Sequence, residues 1–254
     1  MAFETFETED HYARLADSYD ANWAHTAEYV SRMSELIADR VRIQAGERVA
    51  DVGAGTGLFL RAFDDAITAE NPIACIDPSR PMLDQLPDDA RLTPVQATAE
   101  QVAAREVRLP DDELDVILMK EVIHHVSDID TMVKGLAAQM AHGGRFLVVT
   151  LPPQLDYPLF EAALQRFGER QPEPDGIAGA MRAAGLEVEQ ALEEFPVRVS
   201  RDHYIELVGR RWMSVLSTFT DEELADGLDE MRRRHPQEHL EFADRFAFIL
   251  GVKP

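Results

Sequence analysis

The chain has 254 residues, of which 45% are hydrophobic and 28% charged, so it can bury the core of one large α/β domain. Asp and Glu number 47 against 25 Lys and Arg, and the formal net charge of −22 disfavours nucleic acids and anionic membrane surfaces as partners. The single cysteine, Cys75, excludes an intrachain disulfide and a thiolate zinc cluster, and an acidic N-terminus without any apolar run of about 20 residues predicts a soluble cytoplasmic protein.

Short apolar runs alternate with helical patterns, which is typical of βαβ units and a parallel sheet. Two helices are predicted before the sheet, at residues 9–18 and 26–42. The next part of the chain predicts strands at 48–52, 72–76, 91–96, 114–119 and 145–150, and helices at 56–66, 80–86, 99–106 and 128–141. Gly143-Gly144 is expected to end the last of these helices. After residue 150 the pattern predicts helices at 157–170, 177–184 and 201–234, and strands at 187–196 and 242–252.

The sharpest motif is the run Asp51-Val52-Gly53-Ala54-Gly55-Thr56-Gly57, which follows the first predicted strand and is called the glycine loop below. Glycine has no Cβ and adopts positive φ, so a ligand can lie directly against such a backbone. A helix predicted behind the loop would offer free N–H groups to a carboxylate. The spacing is G-x-G-x-G, whereas a dinucleotide site would place its third glycine at position 58, where Leu58 stands. A Walker G-K-[ST] run is also absent from the sequence.

Asp77 ends the second predicted strand, next to the glycine loop in a doubly wound sheet. A carboxylate at this place can accept hydrogen bonds from both hydroxyls of a ribose. The alternative is an aspartate that only starts a turn before Pro78. The register with the glycine loop favours the ribose contact.

Five motifs in chain order resemble those of class I S-adenosylmethionine (SAM) dependent methyltransferases. After the glycine loop they are Ile73-Ala74-Cys75-Ile76-Asp77-Pro78-Ser79 with Met82-Leu83, then Gln96-Ala97-Thr98-Ala99-Glu100, then Glu113-Leu114-Asp115-Val116-Ile117 with Val122-Ile123-His124-His125-Val126, and His142-Gly143-Gly144-Arg145-Phe146. The resemblance implies a doubly wound, mostly parallel, seven-stranded Rossmann-like sheet. It also implies O-, N- or C-methylation of a small molecule, with the acceptor and the oligomeric state left open.

The same resemblance divides one domain, residues 1–254, into three parts. Residues 1–45 would form an N-terminal helical lid, residues 46–151 the cofactor-binding core, and residues 152–254 the acceptor-pocket helices and last strands. The lid would act together with a helical insertion after the fifth strand. The residues expected around the acceptor are Tyr157, Phe160, His203, Tyr204, Arg211 and Trp212.

By resemblance, Asp51 helps hold the amino acid end of SAM, while Thr98 and Ala99 lie at the adenine edge. Lys120 would contact the methionine moiety through its backbone, and Met82 either packs on the adenine or belongs to the core. The set of residues expected to bind SAM is Tyr12, Tyr19, Asp51, Gly53, Ala54, Gly55, Thr56, Gly57, Asp77, Pro78, Met82, Thr98, Ala99, Glu100, Lys120 and His125.

Tyr12 and Tyr19 lie on an amphipathic stretch that is similar to a tyrosine-aspartate helix closing over the cofactor in many small-molecule methyltransferases. The alternative, held equally open, is a helix that packs its aromatic side chains on the sheet.

Methyl transfer from a sulfonium needs alignment, a dry pocket and, for a weak nucleophile, a base. His124 is the predicted base, with His203 and Tyr157 as alternatives. Neighbouring side chains of an extended segment point to opposite sides, so only one of His124 and His125 is expected in the pocket. For the same reason Glu121 and the two histidines are not expected to converge on a metal, and no metal is predicted. A SAM-bound cyclase or binding protein is the alternative function, because such proteins keep the cofactor motifs.

Overall fold

The computed structural model describes residues 26–63, 66–111 and 113–254. Over these residues it contains a seven-stranded sheet in the order β3-β2-β1-β4-β5-β7-β6. The strands are β1 (Val49–Val52), β2 (Ile73–Asp77), β3 (Leu92–Gln96), β4 (Leu114–Lys120), β5 (Met140–Thr150), β6 (Glu187–Ser200) and β7 (His239–Val252). Strands β1 to β5 run parallel, whereas β7 pairs antiparallel with both β5 and β6. The predicted doubly wound, mostly parallel Rossmann-like sheet is therefore confirmed.

Helices cover both faces of this sheet. They are α1 (Ala27–Val41), α2 (Arg80–Leu83), α3 (Ala99–Ala103), α4 (Ile129–Ala137), α5 (Glu161–Arg170), α6 (Pro174–Ala183), α7 (Arg201–Gly209) and α8 (Asp221–Arg234). Short 3₁₀ helices occupy Leu60–Phe63, Ile123–His125 and Ser214–Thr218. None of the helices within the described ranges has the length and apolar character needed to cross a membrane.

The alternation of apolar side chains along each strand divides the core into two layers. On β4, Val116 and Leu118 pack on the face covered by α1, α5, α7 and α8, whereas Ile117 and Met119 pack on the face covered by α3, α4 and α6. All four side chains are buried. Complete burial of such a side chain contributes about 1.5–3 kcal/mol, so the alternating pattern determines which side of each strand meets which helices.

The helix predicted at residues 56–66 is wrong. Gly53, Gly55 and Gly57 all have positive φ, and Gly57 is at +75°. The chain is therefore still turning where a helix was expected, and only the 3₁₀ helix Leu60–Phe63 follows. A glycine loop without an α-helix behind it cannot offer a helix dipole to a bound carboxylate.

Two helix boundaries also differ from the prediction. Gly143 and Gly144 belong to β5 because they exchange hydrogen bonds with Lys253, and α4 already ends at Ala137. The predicted helix at 201–234 is interrupted after α7, where Arg211 adopts φ +58°. Its guanidinium donates hydrogen bonds to the carbonyl oxygens of Leu216 and Phe219, which holds the chain in the 3₁₀ segment before α8 begins.

Candidate active site

A cavity of about 830 Å³ opens at the carboxyl ends of β1, β2 and β4. Its volume is within the range of about 300–1,000 Å³ that small-molecule sites occupy. The predicted cofactor residues that line it are Asp51, Gly53, Ala54, Gly55, Thr56, Asp77, Pro78, Met82, Thr98, Ala99, Glu100, Lys120 and His125. Gly57 belongs to the same loop but does not line the cavity. Tyr12 and Tyr19, and with them the predicted lid helix, lie outside the described residues.

Asp77 joins the end of β2 to the glycine loop. Its Oδ2 accepts a hydrogen bond from the backbone N–H of Gly55 at 3.1 Å, and its Oδ1 accepts one from the N–H of Ser79 at 2.8 Å. Burial raises the pKa of the carboxyl, and the two N–H groups act in the opposite direction. Each oxygen still has a lone pair for a ligand hydroxyl, so the geometry suits a ribose.

The glycines of the loop serve different purposes. A Cβ on Gly53 would lie 1.9 Å from Cγ2 of Val122, so this glycine is required by packing of the chain itself. A Cβ on Gly55 would meet only Cε of Met82, at 3.2 Å. Gly55 faces the cavity and has φ +55°, so it is the position where the absence of a side chain leaves room for a ligand.

Asp51 and Lys120 lie on the same side of the sheet and both line the cavity. Burial and the nearby Asp77 raise the pKa of Asp51 to about 7, while Lys120 acts to lower it. The Lys120 ammonium lies 4.4 Å from the ring centroid of Phe59 and 5.3 Å from that of Phe246, and burial lowers its pKa. Lys120 was predicted to contribute only its backbone, whereas the structure also brings its side chain to the cavity.

His124 and His125 both line the cavity, so the expectation that only one would do so is wrong. The segment is a 3₁₀ helix rather than extended, and the two ring centroids lie 4.0 Å apart. Burial, followed by the influence of His125, holds the pKa of His124 well below its usual value. Desolvation by the surrounding atoms lowers the pKa of His125 to about 4, although part of its surface is exposed. Within the described residues, Nδ1 of His124 has no hydrogen-bond partner.

Of the predicted acceptor-pocket residues, the structure brings two to the cavity. Tyr157 and Trp212 line it together, with ring centroids 6.2 Å apart. The other four predicted residues lie elsewhere and correct that expectation: Phe160 and Tyr204 are in the core, Arg211 holds the 3₁₀ segment, and His203 is on the exposed face of α7. The structure therefore does not bring His203 to the site as a base.

Sequence reasoning missed the roles of two carboxylates at this end of the sheet. Asp244 on β7 is completely buried and accepts hydrogen bonds from the hydroxyls of Tyr29 at 2.9 Å and Tyr157 at 2.5 Å. Burial raises its pKa to about 6. Glu121 directly follows β4 and lines the cavity. The sequence pattern suggests Glu121 only as a potential metal ligand. Among the residues that the structure describes, no group of three His, Cys, Asp or Glu side chains is arranged to hold a metal ion.

A sequence model of the methyltransferase domain family matches residues 23–191. The chain belongs to this family. This membership confirms the resemblance to class I SAM-dependent methyltransferases that the motifs carry.

Individual relatives of this methyltransferase domain are distant. It is 29% identical over 115 residues to the uncharacterized methyltransferase YcgJ of Bacillus subtilis, a match covering 45% of this chain and 44% of YcgJ. It is 27% identical over 186 residues to the 27-O-demethylrifamycin SV methyltransferase of Amycolatopsis mediterranei, covering 68% of this chain and 66% of that enzyme. The sequence match thus spans less than half the length of YcgJ.

Solved structures share the fold of the methyltransferase domain. The crystal structure of YcgJ superposes with a TM-score of 0.61 at 20% identity, covering 88% of this chain and 98% of YcgJ. The [4+2]-cyclase SpnF superposes with a TM-score of 0.60 at 19% identity, covering 89% of this chain and 82% of SpnF. At these identities the likeness concerns the fold alone.

Proposed function

We propose that this chain transfers a methyl group from SAM to a small-molecule acceptor. The observation that carries the proposal is one cavity in which the glycine loop and the Asp77 carboxylate adjoin a chamber lined by apolar and aromatic side chains. A cofactor bound at the first part would present its reactive group toward the second. Membership of the methyltransferase domain family supports methyl transfer as the reaction.

The residues of the first part suit SAM. Asp77 offers acceptor oxygens to the ribose hydroxyls, and Asp51 offers a carboxyl to the ammonium group of the methionine moiety. Met82 and Ala99 provide apolar surface for the adenine. The hydroxyl of Thr98 accepts a hydrogen bond from the backbone N–H of Gln101 in the capping box of α3, and it keeps its hydrogen and a second lone pair for the adenine edge.

The second part of the cavity indicates the character of the acceptor. Its apolar lining comes from α1, β5, α5 and the Ser214–Thr218 segment, and consists of Ile37, Leu147, Val149, Leu151, Phe167, Met213 and Val215. Tyr157 and Trp212 add aromatic surface. A largely apolar or aromatic small molecule fits such a chamber. The net charge of −22 adds an unfavourable field for nucleic acids.

SAM supplies a methyl group that is already activated as a sulfonium, so the protein mainly aligns the two reactants and excludes water. The sequence predicts His124 as the base, and this residue lines the cavity. A strongly lowered pKa keeps that imidazole neutral, but it also makes His124 a weak proton acceptor. Glu121, which lines the same cavity, is a second candidate for the base.

Two measurements test the proposal. Titration calorimetry should detect binding of SAM and of S-adenosylhomocysteine to the wild-type chain, and weakened binding to Asp77→Ala. Incubation with methyl-labelled SAM and fractions of small-molecule metabolites should then transfer label to one fraction. Failure to bind SAM would refute the proposal. Binding without transfer of label to any fraction would favour the alternative, a SAM-bound cyclase or binding protein on this fold.

A further inference from the structure

Glu121 has a backbone conformation that non-glycine residues rarely adopt. Its φ is +56°, directly after the last residue of β4. In a continuous strand Lys120 and Glu121 would point to opposite faces of the sheet. With the left-handed turn between β4 and the following segment, both residues line the cavity. Such conformations persist where the surrounding structure enforces them, and they concentrate at functional sites.

The Glu121 carboxyl is held in place by the end of β5. Its Oε1 accepts a hydrogen bond from the backbone N–H of Leu151 at 2.8 Å, and the hydroxyl of Thr150 donates a second hydrogen bond to the carboxyl. The side-chain amide of Gln171 donates to Oγ1 of Thr150 at 2.8 Å and to the carbonyl of Leu151 at 2.7 Å. Thr150 and Gln171 are both buried. A carboxyl fixed by buried partners in this way is preorganised at the wall of the cavity.

Charged groups from several elements face Glu121. Lys120 lies beside it on β4, Asp244 faces it from β7, and the phenol of Tyr29 faces it from α1. Burial raises the pKa of Glu121 to about 7 and Asp244 acts in the same direction, while Lys120, the Leu151 N–H and Thr150 oppose the shift. A carboxyl of this kind exchanges a proton readily near neutral pH.

Other groups at the cavity are less suited to accept a proton. Burial, and after it the neighbouring His125, hold the pKa of His124 well below its usual value. Tyr157 already donates its hydroxyl hydrogen to Asp244, and Asp244 has no exposed surface. Lys120 is itself a cation that Asp51, Glu121 and Asp244 stabilise. Glu121 therefore combines contact with the cavity, fixed orientation and a suitable protonation state.

We propose that Glu121 is the catalytic base that removes the proton from the attacking O–H or N–H group of the acceptor. This inference rests on the proposed methyltransferase function. A lone pair of the acceptor atom forms the bond to the methyl carbon, the C–S bond breaks with its electrons going to sulfur, and the proton passes to a carboxylate oxygen of Glu121. The acceptor class is thereby narrowed to molecules that carry a dissociable proton on the methylated oxygen or nitrogen.

The first test compares variants with the acceptor fraction found by label transfer. For Glu121→Gln we expect an unchanged affinity for S-adenosylhomocysteine and a kcat lower by about 10²- to 10⁴-fold, the usual contribution of a positioned base. The rising limb of the pH profile of kcat/KM near pH 7 should also disappear. Glu121→Asp should retain that limb at a lower kcat. Glu169→Gln is the matched control, because Glu169 is an exposed glutamate at the rim of the same cavity whose carboxylate accepts a hydrogen bond from Gln165.

A second test does not depend on an acceptor. Carbon-13 NMR of protein labelled at the glutamate carboxyls, with S-adenosylhomocysteine bound and Glu121→Gln used for assignment, should show Glu121 titrating near pH 7. Titration near the ordinary value of about 4.3 would overturn the inference. So would a Glu121→Gln variant that keeps the wild-type kcat and pH profile, although the methyltransferase function would then stand. Absence of label transfer by the wild-type chain would instead refute that function, and the role of Glu121 with it.

Discussion

Oδ2 of Asp77 accepts a hydrogen bond from the backbone N–H of Gly55 at 3.1 Å, so the acid that ends β2 and the middle glycine of the loop after β1 form one unit. This contact connects two motifs that are 22 residues apart in sequence. The parallel pairing of β1 with β2 brings them together, because it places Val52 beside Ile76 at the carboxyl ends of the strands. In a bound nucleoside, the contact of the ribose with Asp77 and the contacts with the glycine loop would therefore depend on each other.

The first prediction concerns this unit. Asp77→Ala should weaken SAM binding by one to two orders of magnitude, or about 1.5–3 kcal/mol, which is the usual worth of hydrogen bonds to a charged acceptor. Asp77→Asn should weaken it less, because an amide oxygen can still accept one hydrogen bond. Titration calorimetry measures both values. A dissociation constant that is unchanged in Asp77→Ala would show that this carboxylate does not hold the ribose.

The second prediction separates the glycines of the loop. Gly55→Val should abolish SAM binding while the circular dichroism spectrum stays that of a folded protein, because the branched side chain would project into the cavity. Gly53→Ala should instead destabilise the fold by about 1–3 kcal/mol, because its Cβ would overlap Val122. Urea denaturation distinguishes the two effects. A folded Gly55→Val variant that still binds SAM would contradict the assignment of Gly55 to the ligand side of the loop.

The strands and the glycine loop could be predicted because their information is local. Strands β2 and β4 are short, mainly apolar runs, Asp77 is the last residue of β2, and Asp51 is the second-to-last residue of β1. The turn at Gly57 could not be predicted, because a glycine-rich strand end is compatible with either a helix or a further turn behind it. Backbone conformations such as φ +56° at Glu121 also leave no mark in a hydrophobic pattern.

Asp244 could not be predicted as part of the site for a different reason. It stands in β7 between Ala243 and Arg245, where the sequence does not distinguish it from a surface aspartate, and its partner Tyr29 is 215 residues away in sequence. Only the sheet order, with β7 next to β5, brings it under α1. The same holds for Glu121, whose position after a strand is visible in the sequence but whose support by Thr150 and Gln171 is not.

The third prediction uses the two tyrosines that donate to Asp244. Tyr157→Phe and Tyr29→Phe should each destabilise the fold at pH 8 by about 1.5–3 kcal/mol, because each removes a hydrogen bond to a buried carboxylate. Both hydrogen bonds lower the raised pKa of Asp244, which is about 6. The loss of stability should therefore become smaller as the pH falls through about 6, because Asp244 is then protonated in the wild-type chain and in both variants.

Tyr204→Phe is the control for these variants. Tyr204 is as deeply buried, but its hydroxyl has no hydrogen-bond partner among the described residues. Its removal should leave stability unchanged or slightly increased at every pH. Urea denaturation from pH 5 to pH 8 provides the comparison. Losses for Tyr157→Phe and Tyr29→Phe that do not depend on pH would show that Asp244 does not titrate in this range.

The last prediction concerns the pH dependence of stability that arises from Asp51. Burial and Asp77 raise the pKa of Asp51 to about 7 in the folded protein, while an unfolded aspartate titrates near 3.9. Between these values the folded state binds more protons than the unfolded state. The contribution of Asp51 to stability is therefore complete below about pH 4 and is lost as the pH rises through about 7. Asp51→Asn removes the titrating group, so its free energy of unfolding should fall less over this interval, by a difference on the order of 4 kcal/mol.

Asp39→Asn provides the matched comparison, because Asp39 is exposed on α1 and its substitution makes the same change in net charge. The slope of stability against pH should stay at its wild-type value in Asp39→Asn and become flatter in Asp51→Asn. Lys120 already lowers the pKa of Asp51 within the value of about 7, since its ammonium stabilises the ionised form. Saturating S-adenosylhomocysteine should reduce it further if the ligand places its ammonium group at this carboxyl. Equal slopes in the two variants without ligand would mean that Asp51 is already ionised at low pH, with its burial offset by Lys120.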